Sequence, residues 1–403
     1  MTSPDPDNRT GALAHVRVLD FTQLLQGPLA TQILADLGAN VIKVEKPGGE
    51  WMRHWGILAS RTQGETDSFL AFNRNKRSVT VDLKDPATVR ALLAASTDFD
   101  VVVENFRPGV MDRLGLGYDD FAEHNESIIY ASSSGYGQDG PYVGRPGQDL
   151  LVQAMSGAMF LTGRAGDPPT PNGIGISDEY TGLHLTVAML AALAHRDRTG
   201  EGQRVSVDLF SCTVAAQQQE LTVHLNHGGP LDRAHEAIGH VGGTAPFGVY
   251  RAADGYLALA MTPCPVLGRA LGVDWLDEFD TNEKMFQNRD RLHRRLSAHL
   301  AARTVAEWIH LLDASDVWCA PVQDYATLEQ DPQVRHNDLI WSVPVGEDDT
   351  NTFRTVGTPF RFSRTPVTVR RGVPRAGQHN PEILPSLGIA GASAQDGELR
   401  HVR

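Results

Sequence analysis

The sequence predicts an α/β protein: a parallel sheet with crossover helices in the first half, then a smaller α+β domain. Three observations carry this. Short β-branched runs alternate with amphipathic stretches from residue 16 to about residue 209, the pattern of strands joined by helices. Composition shifts at residues 226–243 to a Gly- and His-rich connection. A chain of 403 residues has room for two or three domains, each with its own core.

Residues 16–21 (VRVLDF) read as a strand, and 28–37 as a helix with Leu29, Ile33, Leu34 and Leu37 on one face. Residues 41–45 (VIKVE) form the next strand. Residues 78–83 are strand-like, Asp85 caps a helix with Pro86 at its first position, and 101–104 (VVVE) and 128–132 are strands. These strands end beside polar or Gly-rich residues, where open α/β sheets bind ligands. Residues 132–147 are too rich in Gly, Ser and Pro for regular structure. Helices over 149–160 and 178–195 flank a second Gly/Pro loop, and a strand (203–209) and a helix (210–225) follow. Residues 246–260 are a hairpin turning at Asp254-Gly255, and Thr304 with Glu307 makes a capping box. Strand-like pieces at 339–345 and 353–356 return to the first domain. The expected domains are therefore 1–225, 226–330 and a C-terminal segment, 331–403.

Charge and cysteine content exclude several classes. Lys+Arg number 36 against 49 Asp+Glu, a formal charge of −13, which disfavours a nucleic-acid partner. Cys212, Cys264 and Cys319 fit neither a disulfide scaffold nor a zinc module, so the protein reads as cytoplasmic. Residues 1–10 lack an apolar signal region and read as a frayed tail. The most apolar run, 183–194, is shorter than a membrane span.

Among motifs, Gly135, Gly137 and Gly140 satisfy GxGxxG, but Pro141 and Pro146 interrupt the helix that a dinucleotide fingerprint requires. His224, His227, His235 and His240 lack partners at metal-ligand spacing, and Ser132–Ser134 lack the glycines of a nucleophile elbow. The cations of Asn73-Arg74-Asn75-Lys76-Arg77 and of Asn105-Phe106-Arg107 border strands of one sheet. They either solvate surface loops or bind phosphates beside a ring on which a base can stack. Asp178 stands where a loop enters a long apolar helix. It is either an N-cap or a nucleophilic carboxylate kept ionised by the helix terminus.

Residues 41–47 (VIKVEKP), 72–78 (FNRNKRS), 102–115 (VVENFRPGVMDRLG), 134–138 (SGYGQ), 153–157 (QAMSG), 199–203 (TGEGQ), 246–250 (PFGVY) and 374–379 (PRAGQH), as an ordered set, resemble the class III coenzyme A transferase family. That family includes formyl-CoA and carnitine CoA-transferases and 2-methylacyl-CoA racemases. The resemblance spans nearly the whole chain. It implies a Rossmann-like large domain built from both chain ends, a small domain between, and an interlocked ring homodimer. It places Asp178 at the catalytic aspartate, and Lys46, Asn73, Arg74, Asn75, Lys76, Asn105, Phe106, Arg107 and Arg113 at CoA-contacting positions. Acyl-CoA and a carboxylic acid are then the substrates, CoA being a substrate rather than a resident cofactor. The implied mechanism runs through an aspartyl anhydride and an aspartyl-CoA thioester.

Two departures stand out. The turn before α-helical residues 28–37 reads Leu25-Gln26-Gly27-Pro28, which puts Gln26 where the formyl-CoA transferases have alanine. Gln148, followed by Asp149, stands where racemases have histidine. Gln26, Gln148 and Asp149 are candidate substrate-site residues. Gln cannot exchange a proton at neutral pH, so transfer leads and α-proton exchange, with Asp149 as partner, is the alternative. A CoA-binding protein without turnover is a third reading.

Overall fold

The computed structural model describes residues 11–56, 60–228, 231–346 and 348–389; the expected tail at 1–10 lies outside them. Six segments become strands β1 (Arg17–Asp20), β2 (Asn40–Glu45), β3 (Lys76–Thr80), β4 (Val101–Glu104), β5 (Ile129–Ser134) and β6 (Gln203–Asp208). All pair in parallel, in the order β3-β2-β1-β4-β5-β6. This 3-2-1-4-5-6 order opens a crevice at the carboxyl ends of β1 and β4, where the winding reverses.

The crossover helices include α1 (Gln26–Asp36), α2 (Pro86–Ala94), α3 (Asp149–Met155) and α4 (Ile176–Thr199). One face of the sheet (Val18, Val41, Val101, Val103, Ile129) is covered by Ala30 and Leu34 of α1 and Leu185 and Met189 of α4. The other face (Leu19, Ile42, Val79, Val102, Tyr130) is covered by Leu92 of α2 and by Ile383 and Leu384 of the C-terminal helix Asn380–Ser386. Burial on both faces is why the strands read as unbroken apolar runs such as VVV.

Within the described residues the chain divides into two compact units, one of 11–152, 175–213 and 333–389, the other of 153–174 and 214–332. The C-terminal segment pairs the otherwise free edge of β3. Ser78 N–H donates to His379 Nδ1 (3.1 Å), Thr80 N–H to Asn380 Oδ1 (2.8 Å), and His379 N–H to the Ser78 carbonyl (3.0 Å), so the edge offers no template for another chain. The second unit carries the antiparallel strands β7 (Gly248–Arg251), β8 (Tyr256–Leu259) and β9 (Cys319–Pro321) in the order β9-β8-β7. Its core holds Tyr250, Leu267, Leu296 and Trp308.

Several boundaries differ from the sequence reading. Strand β3 begins at Lys76 rather than 78, because Lys76 already pairs with Val41. The expected helix 210–225 is broken at Gln217 (φ −99°, ψ 23°) into Leu209–Ala215 and Gln218–His227, and that expected over 149–160 ends at Met155. Residues 153–174 group with the second unit because Arg233 donates to the Thr162 carbonyl (2.9 Å) and Ala165 N–H to the Ala234 carbonyl (2.8 Å). After β5 the next helix is α3, so none opens at Gly135 or Gly137. Among the described residues no helix is long and apolar enough to cross a membrane.

Candidate active site

Helices α1 and α4 both run antiparallel to the sheet strands they connect, so their N-termini lie together at the carboxyl edge of the sheet. They pack closely at Gly182, where an added Cβ would come 2.8 Å from the Gln26 carbonyl oxygen and 3.0 Å from Leu29 Cδ2. Asp178 lies one turn before Gly182 on the same face of α4, which sets it over the start of α1. A Cβ on the intervening Gly175 would touch both Leu25 Cδ1 (3.6 Å) and Asp178 Cβ (4.0 Å).

Asp178 is inside the first turn of α4, and its carboxylate is not the cap. The cap comes from Asp149, whose Oδ1 accepts the N–H groups of Ser177 (2.8 Å) and Asp178 (3.3 Å). The Asp178 side chain is half-buried and free of hydrogen bonds and ion pairs among the described residues. Burial first, and then the Asp149 and Glu179 carboxylates, pushes its pKa up to about 7. The hydroxyl of neighbouring Ser177, 1% exposed, also has no partner among the described residues; nothing in sequence spacing had marked it.

The turn between β1 and α1 is held from below. Asp20 accepts from Thr22 N–H (2.9 Å) and Thr31 Oγ1 (2.7 Å), and Lys43 donates to the Thr22 carbonyl (2.7 Å). Glu50 accepts from Leu24 N–H (2.9 Å), and Leu24 adopts a left-handed φ of 67°. Leu25, the N-cap of α1, offers no capping side chain, and among the described residues the first-turn amides of Gln26 and Gly27 have no hydrogen-bond acceptor. Gly27 has no room for a side chain, since a Cβ would overlap Thr22 Cβ at 2.5 Å. Gln26 is buried and its Oε1 accepts from Ser133 Oγ (3.2 Å). Gln148 is exposed.

The expected CoA-contacting residues fall into two groups. Asn73, Arg74, Asn75 and Lys76 are buried, and their side chains are hydrogen-bonded within the fold rather than displayed on a surface loop. Arg74 reaches Asp36 of α1 through Nε (3.1 Å) and Nη2 (2.6 Å), and donates from Nη1 to the Val356 carbonyl (2.9 Å). Asn75, at a left-handed φ of 63°, donates to Asp36 (2.7 Å) and accepts from the Arg370 and Arg371 amides (2.7 and 3.0 Å). Asn73 donates to the Phe69 carbonyl (2.9 Å) and accepts from Lys76 (2.9 Å). Lys76, fully buried, also donates to the Pro28 carbonyl (2.9 Å) and to Asp20 (3.2 Å). Burial lowers its pKa to about 8 against the pull of Asp20.

The second group stays at the surface. Lys46, Arg107 and Arg113 are exposed at the ends of β2 and beyond β4. Phe106 is half-buried, and its N–H donates to Glu104 Oε2 (2.9 Å), a carboxyl that burial pushes up to about 7. Asn105 donates to the Gln23 carbonyl (2.8 Å) and accepts from Gln23 N–H (2.7 Å), bridging the crevice between β4 and β1.

Comparison with known proteins agrees with this architecture. The chain is 38% identical over 395 residues to an acyl-CoA transferase of Fusarium pseudograminearum, covering 94% of this chain and 85% of that one. It is 36% identical to the succinyl-CoA:glutarate CoA-transferase of Mus musculus, covering 92% and 85%. The crystal structure of Rv3272 from M. tuberculosis superposes with a TM-score of 0.81 at 35% identity, covering 93% and 99%. Residues 13–380 match the family described as CoA-transferase family III. The chain belongs to CoA-transferase family III and is an enzyme of that family.

Proposed function

We propose that the protein moves CoA from an acyl-CoA to a free carboxylic acid, with Asp178 as the nucleophile. The Asp178 carboxylate attacks the thioester carbonyl, the C–S bond breaks and CoA thiolate leaves, giving a mixed anhydride. The thiolate then attacks the Asp178 carbonyl carbon, releasing the donor as its carboxylate and leaving an aspartyl-CoA thioester. The acceptor carboxylate attacks that thioester, forming a second anhydride and freeing the thiolate. Attack of the thiolate on the acceptor's carbonyl carbon yields the new acyl-CoA and restores Asp178.

The observation that carries this reading is that the Asp178 carboxylate does nothing for the fold, since Asp149 caps the helix and the Asp178 side chain stands free beside the start of α1. The uncapped amides of Gln26 and Gly27, at the positive end of a helix dipole, suit the oxyanion formed at each attack. Exposed Lys46, Arg107 and Arg113 remain for the phosphates of CoA, with Phe106 for the adenine. Asp149 is committed to the Ser177 and Asp178 amides and Gln148 cannot carry a proton, which favours transfer over α-proton exchange. The test uses succinyl-CoA with glutarate, the pair in the mouse relative's name, followed by a panel of other acids. Hydroxylamine added during turnover should modify Asp178, and an Asp178→Ala variant that keeps full transfer activity refutes the assignment.

The reading includes a homodimer. Helix α4 exposes Leu183, Val187, Ala191 and Ala194 along one face, with Val187 63% exposed, an apolar stripe that a second copy would cover. The three free cysteines fit a reducing, cytoplasmic setting.

A further inference from the structure

We infer that Lys43, Lys76 and Asn105 are positioning residues: they hold the main chain of residues 22–28 so that the first-turn amides of α1 face the reaction at Asp178. The inference rests on the transfer reading and adds how the site keeps its geometry.

The polar main-chain groups of the turn are gripped by side chains from other strands. Lys43 of β2 takes the Thr22 carbonyl (2.7 Å), and Asn105, just beyond β4, takes both N–H and C=O of Gln23 (2.7 and 2.8 Å). Lys76 of β3 takes the Pro28 carbonyl (2.9 Å). No donor is left over on Lys76, whose three N–H groups go to Pro28, Asn73 Oδ1 and Asp20 Oδ2. The Asn105 amide is likewise used at both ends. Lys76 therefore has no donor to spare for a phosphate, while Asn105 has one of its two Nδ2 hydrogens and its Oδ1 committed to Gln23.

The arrangement favours geometry over stability. Two lysines are fully buried, each matched by a buried acid, Lys43 by Glu50 (2.9 Å) and Lys76 by Asp20 (3.2 Å). Buried pairs of this kind are weak sources of net stability and are well suited to fixing a conformation. The conformation fixed here is a sparsely populated one, since Leu24 has a left-handed backbone that persists only where its surroundings over-determine it. Donors aimed at a developing oxyanion lose effect when displaced by an ångström, so a turn locked from three strands matches the requirement.

The test compares wild type with Asn105→Ala and with the charge-balanced Asp20→Asn/Lys76→Met pair, which leaves no buried charge unmatched. CoA titration calorimetry counts folded sites and gives Kd at 50 and 200 mM salt, while kcat is expressed per CoA-binding site. Positioning predicts a ten- to hundredfold fall in kcat per binding site, with Kd within threefold of wild type and the same salt dependence. It also predicts that an alkaline limb of kcat near pH 8, where Lys76 loses its proton amid Asp20, Lys43 and Glu50, flattens in the charge-balanced variant. A kcat per site within twofold of wild type, a tenfold weaker Kd with a shallower salt slope, or an unchanged alkaline limb would overturn the inference. Hydroxylamine labelling of wild type at Asp178 separates the two levels: labelling with unaffected variants sinks only the positioning, and no labelling sinks the nucleophile itself.

Discussion

Raising the pH through 7 should activate this enzyme and destabilise it at once, because one carboxyl controls both. Asp178 is displaced from 3.8 to about 7, first by burial and then by Asp149 and Glu179. As a nucleophile it must be ionised, so kcat/KM should fall about tenfold per unit as pH drops below 7. The sign for stability is opposite. With the folded pKa above the unfolded one, the native state holds a proton that the unfolded chain releases, so stability declines as pH rises from about 4 to about 7. A displacement of about three units corresponds to roughly 4 kcal/mol, discounted to about 2–4 kcal/mol because the side chain is only half-buried. Asp178→Asn removes that charge. It should melt higher than wild type at pH 8, with the advantage growing by about 2 kcal/mol between pH 5.5 and 8, on the order of 2–4 °C in Tm for a chain of this length. Scanning calorimetry at both pH values and a kcat/KM profile from pH 5 to 9 read the two effects. An acid limb near pH 4, or an Asn variant no better at pH 8 than at 5.5, refutes the reasoning.

Asp149→Asn keeps an oxygen for the Ser177 and Asp178 amides but removes a like charge, so the acid limb of the rate profile should move below that of wild type. Arg74→Met strands a buried Asp36 and should cost about 3–5 kcal/mol while leaving the Kd for CoA unchanged; weaker CoA binding at an unaltered melting temperature would restore Arg74 as a ligand. Arg107→Ala and Arg113→Ala, both at exposed positions, should leave Tm within about 1 °C yet raise KM for acyl-CoA roughly tenfold each, less so at high salt. Gly182→Val should press α4 away from Gln26, lowering stability by about 1–3 kcal/mol and kcat with it; wild-type kinetics in that variant would show that the two helix starts need not touch.

Much of the architecture was legible because strand and helix periodicity is local information. The runs VIKVE and VVVE announce strands buried on both faces, and Pro86 after Asp85 announces a helix start, which Asp85 caps through the Ala87 and Thr88 amides. The sequence by itself also placed Asp178 at the beginning of a long helix, and the family resemblance singled out Lys46, Arg107 and Arg113, which the structure leaves exposed. It did not separate a cap from a free carboxylate at position 178, nor a phosphate-binding cation from a buried one at positions 74 and 76. Those distinctions depend on partners distant in the chain: Asp149 reaching the start of α4, Asp36 of α1 meeting Arg74, and Asp20 of β1 meeting Lys76. Residue type and spacing record which charges exist. Which of them are neutralised is decided only when the parallel sheet brings β1, β2 and β3 side by side and the burial of one partner compels the presence of the other.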